Sequence, residues 1–172
     1  MTTLKELTWE SHQKAEQTEI MQQLLSNQIT NRMYCNLVYT KYLVFAQLEN
    51  RIDFVTPCLH RAQAALNDWQ QMQCSLPKCV PSLETYLELL RKLDSHFVWA
   101  HVYVHYLAPL YGGQIIKKVI QHRFPTSMYE FDDPMNAIAE VRSKVNLEMA
   151  EQANLAFDYT TTFLNELYLE EN

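Results

Sequence analysis

An all-α protein is what this sequence predicts, and three features predict it. Glycine is nearly absent: two residues in 172, adjacent at Gly112 and Gly113, where a strand-rich chain would need many more for its turns. Prolines punctuate the chain instead, at Pro57, Pro77, Pro81, Pro109, Pro125 and Pro134, and mark where helices start or stop. Between them apolar residues recur at three- and four-residue spacing, the period of a helix with one buried face. There is no internal repeat, low-complexity tract or linker-like composition. Residues 1–172 therefore read as one domain, long enough to bury a core.

The elements follow in order. A first helix is expected from residue 3 into the low twenties, with Leu4, Leu7, Ser11, His12 and Ala15 near one face. Thr30 or Asn31 is placed to cap the next, whose apolar face carries Leu37, Val38, Tyr42, Phe45 and Leu48. Thr56 before Pro57 looks like an N-cap followed by proline at the first helical position. Residues 73–81 read as a loop, after which Ser82 caps a helix through Leu83, Leu87, Leu90 and Leu93. Asp94 or Ser95 caps a long helix running from 96 to about 123. Asp133 with Pro134 opens a last helical stretch that extends as far as 169.

Apolar residues make up 48% and charged residues 20%, the balance of an ordinary globular domain rather than a disordered chain. A net charge of -6 argues against a nucleic-acid binder, which needs a dominant basic surface. Residues 1–23 are polar and mixed in charge, without the apolar core of a signal segment. The most apolar run, residues 97–111, holds His101 and His105 and is too short for a membrane span. Cys35, Cys58, Cys74 and Cys79 form no CxxC pair, so reduced thiols and a cytoplasmic protein are expected.

His12 is followed one helical turn later by Glu16. Side chains at i and i+4 are neighbours, so the carboxylate can accept a hydrogen bond from one imidazole nitrogen and leave the other free for a metal. Taken alone, the same pair also describes a solvated surface contact. Gly112-Gly113 falls inside the long helix, where each glycine costs roughly 1 kcal/mol relative to alanine. A simple helix break accounts for that, and so does a close backbone approach to something bound.

Longer runs tip these readings. His12-Gln13-Lys14-Ala15-Glu16-Gln17-Thr18-Glu19-Ile20-Met21 resembles the proximal helix of heme oxygenases, HxxAExxxxM. Ala100-His101-Val102-Tyr103-Val104-His105-Tyr106-Leu107-Ala108-Pro109-Leu110-Tyr111-Gly112-Gly113-Gln114-Ile115-Ile116-Lys117-Lys118 resembles that family's distal signature, AHxYxRYLGDLSGGQxxKK. Val141-Arg142-Ser143-Lys144-Val145-Asn146-Leu147-Glu148-Met149 is similar to the family segment that reaches the heme propionates. The matches come in family order and span residues 5–167.

The resemblance implies a single-domain heme oxygenase-like helical bundle with heme, iron protoporphyrin IX, clamped between the first and the distal helix. It implies His12 as the axial iron ligand and Glu16 as the group orienting it. Lys5 and Arg142 match cations that face the propionates, where arginine's planar fork suits a carboxylate. Tyr103 matches a tyrosine near the same groups, and Phe157 an aromatic wall. Gly112 and Gly113 match the glycines that let the distal helix lie over the heme. O2 and an electron donor, a reductase or a ferredoxin, are the implied partners, with Lys117 and Lys118 resembling a docking edge and Arg123 close behind.

The distal side departs from the pattern. The family's Gly-Asp is Ala108-Pro109, its arginine is His105, and the serine before the glycines is Tyr111. Phe45 stands for a tyrosine and Ile138 for a lysine. Proline brings no carboxylate to organise water and removes a backbone donor, leaving Tyr111 and His105 as the nearest substitutes. Two readings follow: an enzyme cleaving heme to biliverdin, iron and CO, and a heme carrier or sensor without turnover. A third class, a di-metal oxidase, would use the i, i+4 pair His101 and His105; the further inward Glu and His it needs cannot be assembled.

Overall fold

The computed structural model describes residues 1–172 and consists of helices and their connections, with no strand. Nine α-helices are present: α1 Leu4–Leu7, α2 Trp9–Glu16, α3 Glu19–Leu25, α4 Asn31–Glu49, α5 Ala62–Gln71, α6 Pro81–Lys92, α7 Ser95–Ile120, α8 Pro134–Ser143 and α9 Ala150–Glu171. Short 3₁₀ turns lie at Pro57–Leu59, Ser127–Tyr129 and Leu147–Met149. The core centres on α4, α7 and α9, where Tyr34, Phe45, Tyr86, Tyr106 and Phe163 are fully buried.

The all-α fold class stands, and several boundaries differ from those expected. The single first helix is three. Thr8 turns its hydroxyl back onto the Leu4 carbonyl at 2.9 Å and leaves helical geometry, while Thr18 is extended, with ψ 149°, and starts α3. Thr30 caps α4 as expected, accepting from the Met33 amide. Thr56-Pro57 opens only a 3₁₀ turn. Val80, not Ser82, is the N-cap of α6, with Pro81 first in the helix; Ser82 instead gives its amide and hydroxyl to Glu166 of α9. The last stretch is two helices, broken after Ser143 by a segment whose Asn146 caps the Leu147–Met149 turn.

Cys35 and Cys74, expected as separate thiols, lie side by side with Cα atoms 6.4 Å apart, a separation that a disulfide can span. α5 folds back along α4 and brings together residues 39 apart in sequence, a proximity no local motif announces. Cys58 and Cys79 are free.

Two carboxylates, Glu49 half-buried and Asp68 fully buried, fix the parts that matter to the site. Glu49 at the end of α4 accepts from the Arg61 and Ala62 amides and from the Tyr106 hydroxyl, at 2.6, 2.9 and 3.0 Å. One side chain thus ties the start of α5 to the middle of α7. Asp68 of α5 accepts from the Ser127 amide and hydroxyl and the Met128 amide. Burial raises its pKa, and these three donors oppose the rise. They pin the 3₁₀ turn whose Tyr129 packs against α7.

Candidate active site

α1, α2, α4, α7 and α9, with contributions from α3 and α8, enclose a cavity of about 810 Å³, within the ~300–1,000 Å³ of sites that bury a small molecule or cofactor. Ten residues singled out from the sequence reach its wall: Lys5, His12, Glu16, Tyr103, His105, Tyr111, Gly112, Gly113, Arg142 and Phe157.

On the α2 wall, His12 Nε2 lies 3.1 Å from Glu16 Oε1. In that arrangement Nδ1 is the nitrogen left free, and the carboxylate stabilises a donating N–H. Trp9 and Phe157 flank the imidazole, with ring centroids 5.5 and 5.4 Å away, so it is held from both sides. Glu16 is the only carboxylate on the cavity wall.

On the α7 wall the two glycines have different surroundings. A methyl group added at Gly112 would meet nothing within 4 Å, so bare backbone faces the cavity there. One added at Gly113 would lie 2.6 Å from Tyr129 Cδ1 and 3.3 Å from Pro109 Cβ. Gly113 therefore permits close packing, and Gly112 leaves room for something bound. α7 runs unbroken through Pro109; Gln114 steadies the region by donating from Nε2 to the carbonyls of Pro109 and Tyr129, at 3.1 and 2.8 Å. The helix-break alternative is thereby set aside.

The mouth is cationic. Arg142 lies over the Tyr111 ring at 5.6 Å and Lys5 over Trp9 at 5.8 Å, and neither is paired with a carboxylate. Tyr111 is 47% exposed, which places it at this mouth. Burial raises the Tyr103 pKa, against a hydrogen bond with Thr8 and the Arg142 charge.

His101 and His105 do not form a metal pair. Tyr86 of α6, which no sequence motif singles out, puts its hydroxyl between them, 2.7 Å from His101 Nδ1 and 2.8 Å from His105 Nε2. His101 Nε2 continues to Gln152 Oε1 of α9 at 3.1 Å. Burial lowers the His101 pKa to about 4 and holds His105 well below its ordinary value, so both are neutral at pH 7. No cluster of three or more His, Cys, Asp or Glu suited to a metal exists in the chain.

The docking edge is partly committed elsewhere. Lys117 pairs with Glu130 at 3.1 Å, and Arg123 bonds the Asn27 and Ile29 carbonyls, leaving Lys118 free. Sequence reasoning also missed Lys41 on the cavity wall. Its signal was a charge at the four-residue step between Leu37 and Phe45 of an otherwise apolar stripe.

The helical bundle closes on a large cavity, with an oriented histidine on one wall, a bare glycine backbone on another and two unpaired cations at its mouth. The sequence pattern of heme oxygenase matches residues 1–166, and the chain belongs to the heme oxygenase family. It is 26% identical to heme oxygenase 2 of Macaca fascicularis, covering 95% of this chain and 64% of that protein. It thus spans less than two thirds of that relative. Heme oxygenase of Guillardia theta is 27% identical, over 95% of this chain and 84% of its own. Among solved structures, heme oxygenase-1 of the cyanobacterium Synechocystis in complex with heme superposes with a TM-score of 0.84 at 25% identity, covering 97% of this chain and 91% of that one. Heme oxygenase from Leptospira interrogans gives 0.83 at 23% identity, covering 95% and 97%.

Proposed function

We propose that this chain binds heme in the cavity through His12 and cleaves it, with dioxygen and electrons, to biliverdin, iron and carbon monoxide. The observation that carries the reading is the gathering of Lys5, His12, Glu16, Gly112, Arg142 and Phe157 around one cavity from five separate helices. A family resemblance does not by itself require that convergence.

The residues fit the ligand. Lys5 and Arg142, free of carboxylate partners at the mouth, suit the propionates. Phe157 and the apolar wall suit the ring, and Gly112 lets backbone approach its face. Glu16 accepts from His12 Nε2 and directs the ring, leaving Nδ1 as the nitrogen for iron. Bound heme supplies the iron at which dioxygen is activated and the ring that is oxidised; the protein positions it and excludes competing chemistry. Electrons would come from a reductase or ferredoxin, for which Lys118, with Lys117 beside it, is the exposed cationic edge.

A carrier or sensor without turnover is favoured by one observation: the wall's only carboxylate, Glu16, is taken up by His12. Loading with hemin, then adding ascorbate or a reductase, separates the two. The enzyme converts the Soret band into a biliverdin band, whereas a carrier keeps the Soret band. In either case His12→Ala should abolish the axial-ligand spectrum, and an unchanged spectrum sinks the assignment.

A further inference from the structure

Lys41 sits in the middle of α4, on the stripe Leu37, Lys41, Phe45 that faces the cavity. It makes no ion pair, no hydrogen bond and no contact over an aromatic ring. It is half-buried on the cavity lining, and burial alone lowers its pKa to about 8. No carboxylate acts on it. An ammonium withdrawn from water without a counter-charge is costly, and interior positions rarely keep one. Leucine or methionine would fill the same stripe at no such cost. A charge kept in this setting marks a functional position, because its partner arrives from outside.

Its place is the inner end of the cavity. Its charge acts on His105, whose Nε2 is turned away to Tyr86. One helical turn beyond His105 on the same face of α7 comes Pro109, then the bare backbone of Gly112. The remaining titratable side chains around the cavity are Lys5, Arg142, Tyr103, Tyr111, Tyr129, His12 and Glu16. Glu16, the only carboxylate among them, is held by His12.

We propose that Lys41 makes the inner end of the cavity a subsite for a small monovalent anion beside the bound heme, its ammonium supplying both the positive charge and the donated hydrogen bond. This rests on the heme reading above and adds to it the group that receives an anion on the side where Pro109 brings no carboxylate. A cation there favours a ligand carrying negative charge over an isosteric neutral one, and the effect is strong because the surroundings are apolar.

The experiment uses the full chain loaded with ferric heme, and azide and fluoride as probes, at pH 6.5 where the amine is protonated. Lys41→Met should weaken azide binding by about tenfold or more, the range that loss of an enclosed charge pair produces. It should also move the conversion of bound water to hydroxide to higher pH, with the His12-ligated spectrum otherwise intact. Equal azide and fluoride affinities in native protein and variant overturn the proposal while leaving the heme reading in place. Failure of the native protein to load heme overturns both. Should Lys41→Met fold poorly, the heme-free native protein decides. After reductive ¹³C-methylation, the Lys41 methyl signal should titrate well below the other lysines, near 8. Titration with the surface lysines would place the amine in water and end the proposal.

Discussion

The cavity holds positive charge at two places, and the two are held in opposite ways. At the mouth, Lys5 and Arg142 are exposed and rest on the faces of Trp9 and Tyr111. At the inner end, Lys41 has neither ring nor carboxylate and is half-buried on the cavity wall, where burial lowers its pKa to about 8. The mouth can meet an anionic edge in a screened setting, where each contact contributes little and either cation covers for the other. The inner charge meets its partner in an apolar one, so it selects more sharply and costs more when unmet.

The difference in hydration can be tested directly, and the largest effect belongs to the inner end. His105 on the cavity wall and His101, joined to it through Tyr86, are neutral because burial depresses their pKa values, His101 to about 4. In the unfolded chain they take up protons near 6.5. The unfolded state therefore binds more protons as pH falls through that window, and stability drops with it. Stability should be full above about pH 6.5 and decline toward pH 4, by roughly 3 kcal/mol for His101 alone. Denaturant unfolding across the range from neutral to mildly acid pH measures it. A flat profile would mean the inner end is wet.

Next in size is the glycine pair, which separates packing from reception. Gly113→Ala drives a methyl into Tyr129 and should cost about 1–3 kcal/mol of stability, as overpacking does. Gly112→Ala meets no neighbour, so the heme-free protein should be as stable as native or up to ~1 kcal/mol more so, while its heme affinity falls. Thermal melts with and without hemin give both numbers. If the two substitutions behave alike, Gly112 has no role distinct from that of Gly113.

The smallest effect is at the mouth. Arg142→Ala should reduce heme affinity by less than about tenfold, since exposed ion pairs contribute ~0.2–1 kcal/mol, and the loss should shrink as salt is raised. Hemin titration at low and high salt checks this. A loss of heme affinity that salt leaves unchanged would erase the contrast between the two ends.

Much of the site is legible in the sequence because its signals are local. His12 and Glu16 are one turn apart on α2, and Gly112-Gly113 are adjacent in a chain with no other glycine. The fold class is legible for the same reason: glycine scarcity and helical periodicity need no tertiary information. Tyr86 is not, because the partners of its hydroxyl are 15 and 19 residues away, and a tyrosine on the apolar face of a helix looks like core. Asp68 is hidden likewise, its role being to hold a turn 60 residues on. The breaks at Thr8 and Thr18 escape a periodicity reading because the apolar period continues across them, and only the threonine backbones depart from it. Lys41 leaves a trace in the sequence, a charge at a core step of α4, but the walls that enclose it come from other helices.

The line Gln152, His101, Tyr86, His105 has a consequence for the state of the imidazole beside the cavity. With the Gln152 oxygen facing His101, His101 carries its proton on Nε2, Tyr86 donates to His101 Nδ1, and His105 donates from Nε2 to Tyr86. Turning the amide by half a revolution presents an N–H instead, and every donor along the line must then become an acceptor. His101 now bears its proton on Nδ1, the tyrosine hydroxyl swings to His105, and His105 holds its own proton on Nδ1. Net charge is the same in both, and neither leaves a member of the line unbonded. The orientation of one amide on α9, half-buried, therefore sets the tautomer of an imidazole three hydrogen bonds away inside the core.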